Sequence, residues 1–232
     1  MNLVSEVESK SFRTFTLFAF AALMILGLLV SIFSFKYRVS IINYDTELNL
    51  NYEGLKSIKN LSIWLINDDN FEKFYLDNQT VENLEISKQL PNVINININL
   101  HERIIVYTDF RDTNPEQRVL YKNLYTEDSI FEKDLAHLVI TNGPIDDGFY
   151  NEIVSFILTI QKYKVDLSKL SMSFDGNVLV INYEDTIIDA GKAVDLSRKG
   201  SVVGYILERG DCTGSVTILD SSDDDIETLF QC

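Results

Sequence analysis

The sequence predicts an α+β protein. It has a single N-terminal transmembrane helix, a small domain of order strand–helix–helix–strand–strand, and an α/β domain with a mostly antiparallel sheet. Three observations predict this class. Residues 15–35 carry no charge, residues 94–100 alternate between apolar residues and asparagine, and an apolar helical face beginning at Phe149 is followed by short strand-like segments. About 20 apolar residues in a helix span the ~30 Å hydrocarbon core of a bilayer. Alternation with a period of two is typical of a half-buried strand.

The uncharged run from Phe15 to Phe35 predicts an uncleaved membrane anchor, preceded by a short cytoplasmic stub, residues 1–14. Thirteen of its 21 residues are Leu, Ile, Phe or Val, each contributing about −0.3 to −0.6 kcal/mol to insertion. The alternative is a cleaved signal peptide, whose apolar region spans only ~7–15 residues before a small-residue cleavage site. Here the run is longer than that, and it ends in Ser34-Phe35-Lys36-Tyr37-Arg38. No later segment is apolar enough to cross again, so we expect a single-pass protein.

The charge of the chain lies beyond this anchor. The net charge is −15, and the four charged residues before the run cancel, so residues 36–232 carry the whole excess. A body this acidic is repelled by nucleic acids and by anionic headgroups, and we expect no nucleic acid among its partners.

The orientation of the anchor does not follow from its flanking charges. Lys10 and Arg13 precede the run, and Lys36 and Arg38 follow it, so the positive-inside count is a tie. A short stub before a large body favours a cytoplasmic N-terminus with the body outside.

The first domain is expected to span residues 36–112. A strand is predicted near residues 39–50, a short helix at 51–59 and a turn-rich stop at 67–70. Thr80 is a candidate cap for a second helix that closes at Pro91. The alternating strand Ile94–Leu100 and a strand at Arg103–Thr108 are predicted to form a hairpin.

The polar segment Asp112–Gln117 is the predicted linker, and the second domain is expected to span 113–219. Its predicted elements are a hairpin-like stretch (119–131), a helix with Phe149, Ile153, Phe156, Ile157 and Ile160 on one face, a hairpin turning at Asp175-Gly176, strands at 178–181 and 186–188, a helix near 195–208 and a last strand at 216–219. Residues 220–232 are expected to be a frayed acidic tail.

The sequence predicts no catalytic set, no cofactor and no metal site, so the protein is not expected to be an enzyme. His101 falls in a predicted turn and His137 in a loop or short helix, and neither belongs to a nucleophile or metal motif. The Asp146-Asp147 and Glu184-Asp185 pairs occupy turn positions, where Asp is favoured for backbone hydrogen bonding. No nucleophile elbow, zinc-protease motif or glycine-rich phosphate loop is present.

The two cysteines, Cys212 and Cys232, leave two alternatives open. In an oxidising compartment they could pair across a C-terminal loop. The favoured alternative is two isolated thiols, because Cys232 is the last residue.

The order of these segments resembles the bacterial cell division family of FtsQ and DivIB, which carries one transmembrane helix, a POTRA domain and a β domain. Weak motifs along nearly the whole chain carry the resemblance: an apolar turn at Asn60–Ile66, a strand entry at Leu90–Val93, a hairpin at Glu127–Phe131, a loop at Leu138–Gly143, a turn at Asp189–Gly191 and a closing strand at Ser215–Asp220.

This resemblance implies a non-catalytic divisome scaffold, held in the cytoplasmic membrane at the division septum with its body outside. Its partners would be coiled-coil membrane proteins like FtsB/DivIC and FtsL, and it would help to recruit and regulate septal peptidoglycan synthesis. The POTRA-like domain would serve membrane-proximal recruitment. In this family a partner chain adds to the edge of the last β-domain strands. The partner-binding residues here would then be Ser215, Val216, Thr217, Ile218, Leu219 and Asp220.

Two other functions are compatible with a single-pass α+β protein. A bitopic assembly protein of a pilus or secretion system, like PilO or GspM, would place a coiled coil after the anchor, and residues 36–60 contain no heptads. An extracytoplasmic enzyme or ligand sensor would need a catalytic set or a binding pocket.

Overall fold

A computed structural model describes residues 3–45, 48–128, 133–210, 212–220 and 226–231. The chain is a mixed α+β protein with two compact units, Met1–Leu100 and His101–Cys232. The boundary therefore lies after Leu100 rather than after residue 112. The reason is that the strand Arg103–Asp109 pairs within the second unit.

The chain begins with one long apolar helix, α1 (Leu3–Phe33). Its segment Phe15–Ile32 has a mean hydropathy of 2.6 and is not buried against the rest of the protein. By length and composition this segment is able to cross a membrane. The helix ends where Ser34 accepts a hydrogen bond from the Lys36 N–H and starts a 3₁₀ turn.

The first unit has the predicted order of strand, helix, helix, strand and strand, although two members differ from the prediction. Its elements are β1 (Ile41–Tyr44), α2 (Glu53–Lys56), α3 (Glu72–Asp77), β2 (Val81–Gln89) and β3 (Val93–Leu100). The three strands form a sheet of order β1-β3-β2, in which β1 is parallel and β2 antiparallel to β3.

The helix predicted between Thr80 and Pro91 is wrong, because this segment is strand β2. Leu84 and Ile86 pair with Ile98 and Ile96 of β3. Only two apolar residues mark this period of two, so the pattern was too short to separate from a helical one. The second helix is α3, which follows a 3₁₀ turn capped by Asn67 in the predicted turn-rich stop.

The alternating strand is confirmed as β3. Ile94, Ile96 and Ile98 are buried in the core of the first unit. The asparagines lie on the opposite face and hydrogen-bond across the strands: the Asn43 amide donates to Asn95 (2.8 Å), and the Asn99 amide donates to Asn83 (2.7 Å). The polar face of this sheet is thus a ladder of amides.

The predicted hairpin between Ile94–Leu100 and Arg103–Thr108 is wrong. β3 pairs with β1 and β2, whereas β4 (Arg103–Asp109) pairs with two strands of the second unit. A short link between two apolar strands is the local signal of a hairpin. Here the buried partners of β4 come from later in the chain.

The second unit is built on one sheet, mostly antiparallel. In the described residues it has nine strands in the order β12-β11-β10-β9-β8-β7-β4-β5-β6. After β4 these are β5 (Gln117–Tyr121), β6 (Thr126–Asp128), β7 (Ala136–Ile140), β8 (Leu170–Phe174), β9 (Leu179–Tyr183), β10 (Thr186–Asp189), β11 (Ser215–Asp220) and β12 (Ile226–Gln231). The hairpin motif at Glu127–Phe131 falls partly outside the described residues.

Two helices, α4 (Asp147–Ile160) and α5 (Leu196–Arg209), supply the rest of the second core. Every residue of the predicted apolar face of α4 is buried. Asp146 caps α4 by accepting a hydrogen bond from the Phe149 N–H at 2.9 Å. The predicted helix near 195–208 is confirmed as α5.

Residues 220–232 are not simply a frayed tail, because β12 pairs antiparallel with β11 along six residue pairs. Residues 221–225 and 232 lie outside the described residues. The acidic run before β12 favours the interpretation of a tail. The segment that follows it, Ile226–Phe230, is nevertheless enriched in β-branched and aromatic residues, which favour strands.

Two glycines at the carboxyl ends of neighbouring parallel strands touch each other. Gly143 follows β7, Gly176 follows β8, and both have φ of +95°. A Cβ on Gly143 would lie 2.2 Å from the Gly176 Cα. Glycine is required here by the close approach as well as by the backbone conformation.

We expect Gly143→Ala to destabilise the protein by about 2–4 kcal/mol, because a positive-φ cost and an overpacking cost add. Urea unfolding followed by circular dichroism measures this change. Gly210→Ala is the matched control, since Gly210 has φ of +62° with open space around its Cβ. If both variants lose the same stability, the Gly143–Gly176 contact contributes nothing.

Candidate functional site

The predicted partner-binding strand, Ser215–Asp220, is β11, and it is not an edge. β10 pairs with one side of it in parallel and β12 with the other side in antiparallel. Its side chains Val216 and Ile218 are buried in the core. The sequence predicts the end of the sheet one strand too early, because an acidic segment separates Asp220 from the last strand, β12.

The sheet ends instead at β12. The Ile187 N–H donates to the Gly214 oxygen at 2.8 Å, so alternate residues of β11 turn their backbone groups toward β10. The backbone N–H and C=O groups of Thr217 therefore point toward β12, and those of Leu229, its pairing partner, point toward β11. By the same alternation, Thr228 and Phe230 direct their N–H and C=O groups outward. In the part of the chain that the structure describes, no strand pairs with this outer side.

A groove runs beside this edge, between β12 and helix α5. It has a volume of about 340 Å³ and is lined by Val202, Tyr205, Ile206, Arg209, Cys212, Thr228 and Phe230. Phe230 pairs with buried Val216, so its side chain lies on the face of the sheet that carries α5. Tyr205 and Phe230 are each about half exposed, at 52% and 50%. The groove therefore presents aromatic surface to solvent.

Arg209 supplies the positive charge of this groove. Its Nη1 donates to the Tyr205 hydroxyl at 2.6 Å, and its guanidinium lies 5.4 Å from the centre of the same ring. Both residues lie on α5 one turn apart, so the helix itself sets their spacing. With Tyr205 and Phe230 on its walls, the groove can accept an apolar side chain.

Cys212 lies at the floor of the groove and is buried. It is disulfide-bonded, which contradicts the favoured expectation of two isolated thiols. The sequence has only one other cysteine, Cys232, which falls outside the described residues.

The opposite end of the sheet differs from this one. β6 has three residues in the described part of the chain, which breaks off after Asp128, and its Glu127 and Asp128 are exposed. Short strands and charged side chains are devices that block strand addition. β12 has six residues and exposes Leu229 and Phe230. Among the described residues, the β12 end of this sheet therefore suits a partner strand better than the β6 end.

A second polar cluster lies at the carboxyl end of β4. The Arg111 guanidinium donates to both carboxylate oxygens of Asp109, at 2.8 and 2.6 Å, and to the Gly143 oxygen at 2.6 Å. The hydrogen bonds from Arg111 lower the pKa of Asp109. Burial raises the pKa of Tyr150, which packs against Tyr107 nearby. These contacts tie β4 to the loop that contains Gly143, and the cluster is satisfied internally.

The histidines belong to neither site. His137 lies on β7, where its Nε2 is 3.1 Å from the Thr108 hydroxyl, and burial lowers its pKa. His101 is half-buried in the link before β4. Among the described residues, no group of three or more His, Cys, Asp or Glu side chains could hold a metal ion.

Comparisons with known proteins add no family assignment. No protein-family model matches the chain. A search of the curated proteins also returns no match.

The residues of the β12 groove escaped prediction because they are far apart in sequence. Tyr205 and Arg209 belong to α5, whereas Thr228 and Phe230 follow the acidic segment. The one local signal was the strand-forming run Ile226–Phe230. It would have indicated a further strand, though not the helix beside it.

We expect Asp109→Asn to destabilise the protein by about 1–3 kcal/mol at pH 7, because hydrogen bonds to charged groups are worth this much. The pKa of Asp109 is lowered in the folded state. Its stabilisation is therefore present above the unfolded-state pKa of ~3.9 and is lost as the pH falls through the folded-state value.

The measurement is urea unfolding of wild type and variant at pH 7 and below pH ~3.9. The difference between them should shrink in acid. Asp185→Asn, which alters an exposed carboxylate in the turn between β9 and β10, should change little at either pH. A constant difference across the pH range would contradict the proposed ion pair.

Proposed function

We propose that this chain is a non-catalytic, membrane-anchored scaffold of the bacterial divisome, in the manner of FtsQ and DivIB. Its body would bind coiled-coil membrane proteins like FtsB/DivIC and FtsL. Through them it would help to recruit and regulate septal peptidoglycan synthesis. The observation that carries this proposal is the open β12 edge beside an aromatic groove.

The partner would bind by adding a strand to β12. Main-chain hydrogen bonds to the outward groups of Thr228 and Phe230 would supply affinity, and pockets for alternate side chains would supply specificity. An added strand directs every second side chain to the α5 face. One such side chain would enter the groove between Tyr205 and Phe230.

This proposal moves the predicted contact by one strand. Ser215–Asp220 would not contact the partner but would hold the binding strand in place, because β11 pairs with β12 along its whole length. The partner would meet Thr228 and Phe230 in place of Val216 and Ile218, which are buried under the sheet.

The first unit supports the same proposal. Its strand–helix–helix–strand–strand order, with β3 central and β1 parallel to it, is compatible with the POTRA-like domain expected from the sequence. It follows α1 directly, so it would act near the membrane, in recruitment.

The disulfide of Cys212 helps to decide the orientation of the chain in the membrane, which the charges flanking α1 leave undecided. Disulfides persist in oxidising compartments and are rare in the cytosol. A disulfide in the second unit therefore favours a body outside the cytoplasmic membrane and a cytoplasmic N-terminus, as a divisome scaffold requires.

We expect Thr228→Pro to weaken binding of the coiled-coil partner by about tenfold or more, equivalent to ~1.4 kcal/mol. Proline removes the outward N–H of Thr228 without removing a bond to β11. Affinity measurement with the purified partner checks this, alongside circular dichroism for the fold.

Thr228→Val is the matched control, because it keeps the N–H and the β-branched shape, and it should bind as wild type does. Leu229→Pro removes a bond to β11 and should detach β12 itself. If Thr228→Pro binds normally, the partner does not add a strand here.

We expect a fluorescent fusion to the N-terminus to gather at mid-cell during constriction. Time-lapse microscopy of the full-length chain measures this distribution. The Thr228→Pro variant should reach the membrane but lose enrichment of the coiled-coil partner at mid-cell. Uniform membrane fluorescence of the wild-type fusion throughout the cell cycle would contradict the division proposal.

A further inference from the structure

A 3₁₀ turn in the first unit, Ile63–Leu65, exposes two large apolar side chains. Ile63 is fully buried in the core of this unit, whereas Trp64 and Leu65 are 45% and 58% exposed. The buried residue fixes the turn to the unit and forces its neighbours outward. An exposed tryptophan beside an exposed leucine is the kind of apolar surface that marks an interaction site.

This turn is bound to the chain just after helix α1. The Val39 N–H donates to the Leu61 oxygen, and the Asn60 N–H donates to the Val39 oxygen, both at 2.9 Å. Arg38 and Ser62 form a further antiparallel bridge. The turn is therefore bound to Arg38 and Val39, within six residues of the end of α1.

Trp64 lies alongside the apolar part of α1. Together with the helix it lines a groove of about 460 Å³, whose other residues are Leu23, Met24, Gly27, Leu28, Ser31 and Ile32. From Leu23 to Ile32 a helix rises about 14 Å, which is half of a bilayer core of ~30 Å. The groove thus lies along the half of α1 nearest the body.

We propose that the turn Ile63–Leu65 is seated in the lipid leaflet that faces the body, and that acyl chains fill the groove between Trp64 and α1. The inference rests on the membrane anchoring in the proposed function and not on the division partners. The occupant follows from continuity. The groove wall is the membrane-crossing segment itself, so whatever solvates that segment also enters the groove.

The surroundings of the turn match a lipid interface. The rings of Tyr37 and Trp64 lie 5.8 Å apart, and tyrosine and tryptophan concentrate at the headgroup level of bilayers. The Arg38 guanidinium lies 4.4 Å from the Phe35 ring centre. Lys36, which is exposed, follows the helix end on the same segment. The aromatic pair is therefore accompanied by cations suited to phosphate groups.

Trp64 is the only tryptophan of the chain, so its fluorescence tests the proposal without a label. The full-length chain is reconstituted into vesicles of phosphatidylethanolamine and phosphatidylglycerol, and vesicle flotation first confirms that α1 is inserted. Lipids brominated along the acyl chain should then quench Trp64 several-fold more than aqueous acrylamide does. Its emission should also shift to the blue relative to the urea-unfolded chain.

Leu65→Asp should reverse this preference, making acrylamide the stronger quencher while flotation is retained. The matched control moves the tryptophan by combining Trp64→Phe with Leu76→Trp. Leu76 is 70% exposed on α3 and does not line the groove, so acrylamide should quench its replacement more strongly.

Three results would overturn the proposal. In the first, Trp64 of floated protein is quenched mainly by acrylamide, which would place the turn in water. In the second, neither quencher reaches it, which would mean that a second helix fills the groove. In the third, bromolipid quenches the tryptophan at position 76 equally, which would mean that no particular turn is seated. A failure to float would instead refute the membrane anchoring.

Discussion

A β-sheet that does not close on itself leaves backbone donors and acceptors unpaired at both ends, and the second unit is organised by this constraint. In spatial order, the nine described strands begin with β6 and end with β12. At the β6 end, the exposed carboxylates of Glu127 and Asp128 oppose the addition of another strand. At the other end, β11 is paired on both sides. The unpaired backbone groups are those of Thr228 and Phe230, on the outer side of β12. Helix α5 lies beside this end of the sheet, and Tyr205 and Phe230 place aromatic surface next to the unpaired backbone groups.

The dependence of the β12 edge on its neighbours is physical. Val216 and Ile218 are buried beneath the sheet and fix the position of β11, and six residue pairs hold β12 to it. The disulfide at Cys212 lies under the same groove. Partner recognition in the proposed function therefore draws on three parts of the chain: a core strand, a helix face and the last described strand. No one of them forms the site alone.

Local patterns predicted much of the fold, and non-local pairing decided the rest. The alternation from Ile94 to Leu100 and the apolar face of α4 are strong periodic signals, and both elements formed where expected. The segment at Val81–Gln89 carried a period of two on only two apolar residues, so a cap residue and a proline outweighed it. The link at His101-Glu102 looked like a hairpin turn, yet β4 joins a later sheet, because its buried partners lie farther along the chain. The groove could not be predicted, since nothing local relates Tyr205 to Phe230.

The hydrogen bonds that join Val39 to Asn60 and Leu61 limit the length of free chain after α1. Helix α1 ends at Phe33, a 3₁₀ turn follows at Phe35–Tyr37, and Val39 is already bound to the first unit two residues before β1 begins at Ile41. In the proposed membrane-anchored state, the tilt of α1 responds to bilayer thickness. So short a connection would pass part of that tilt on to the first sheet.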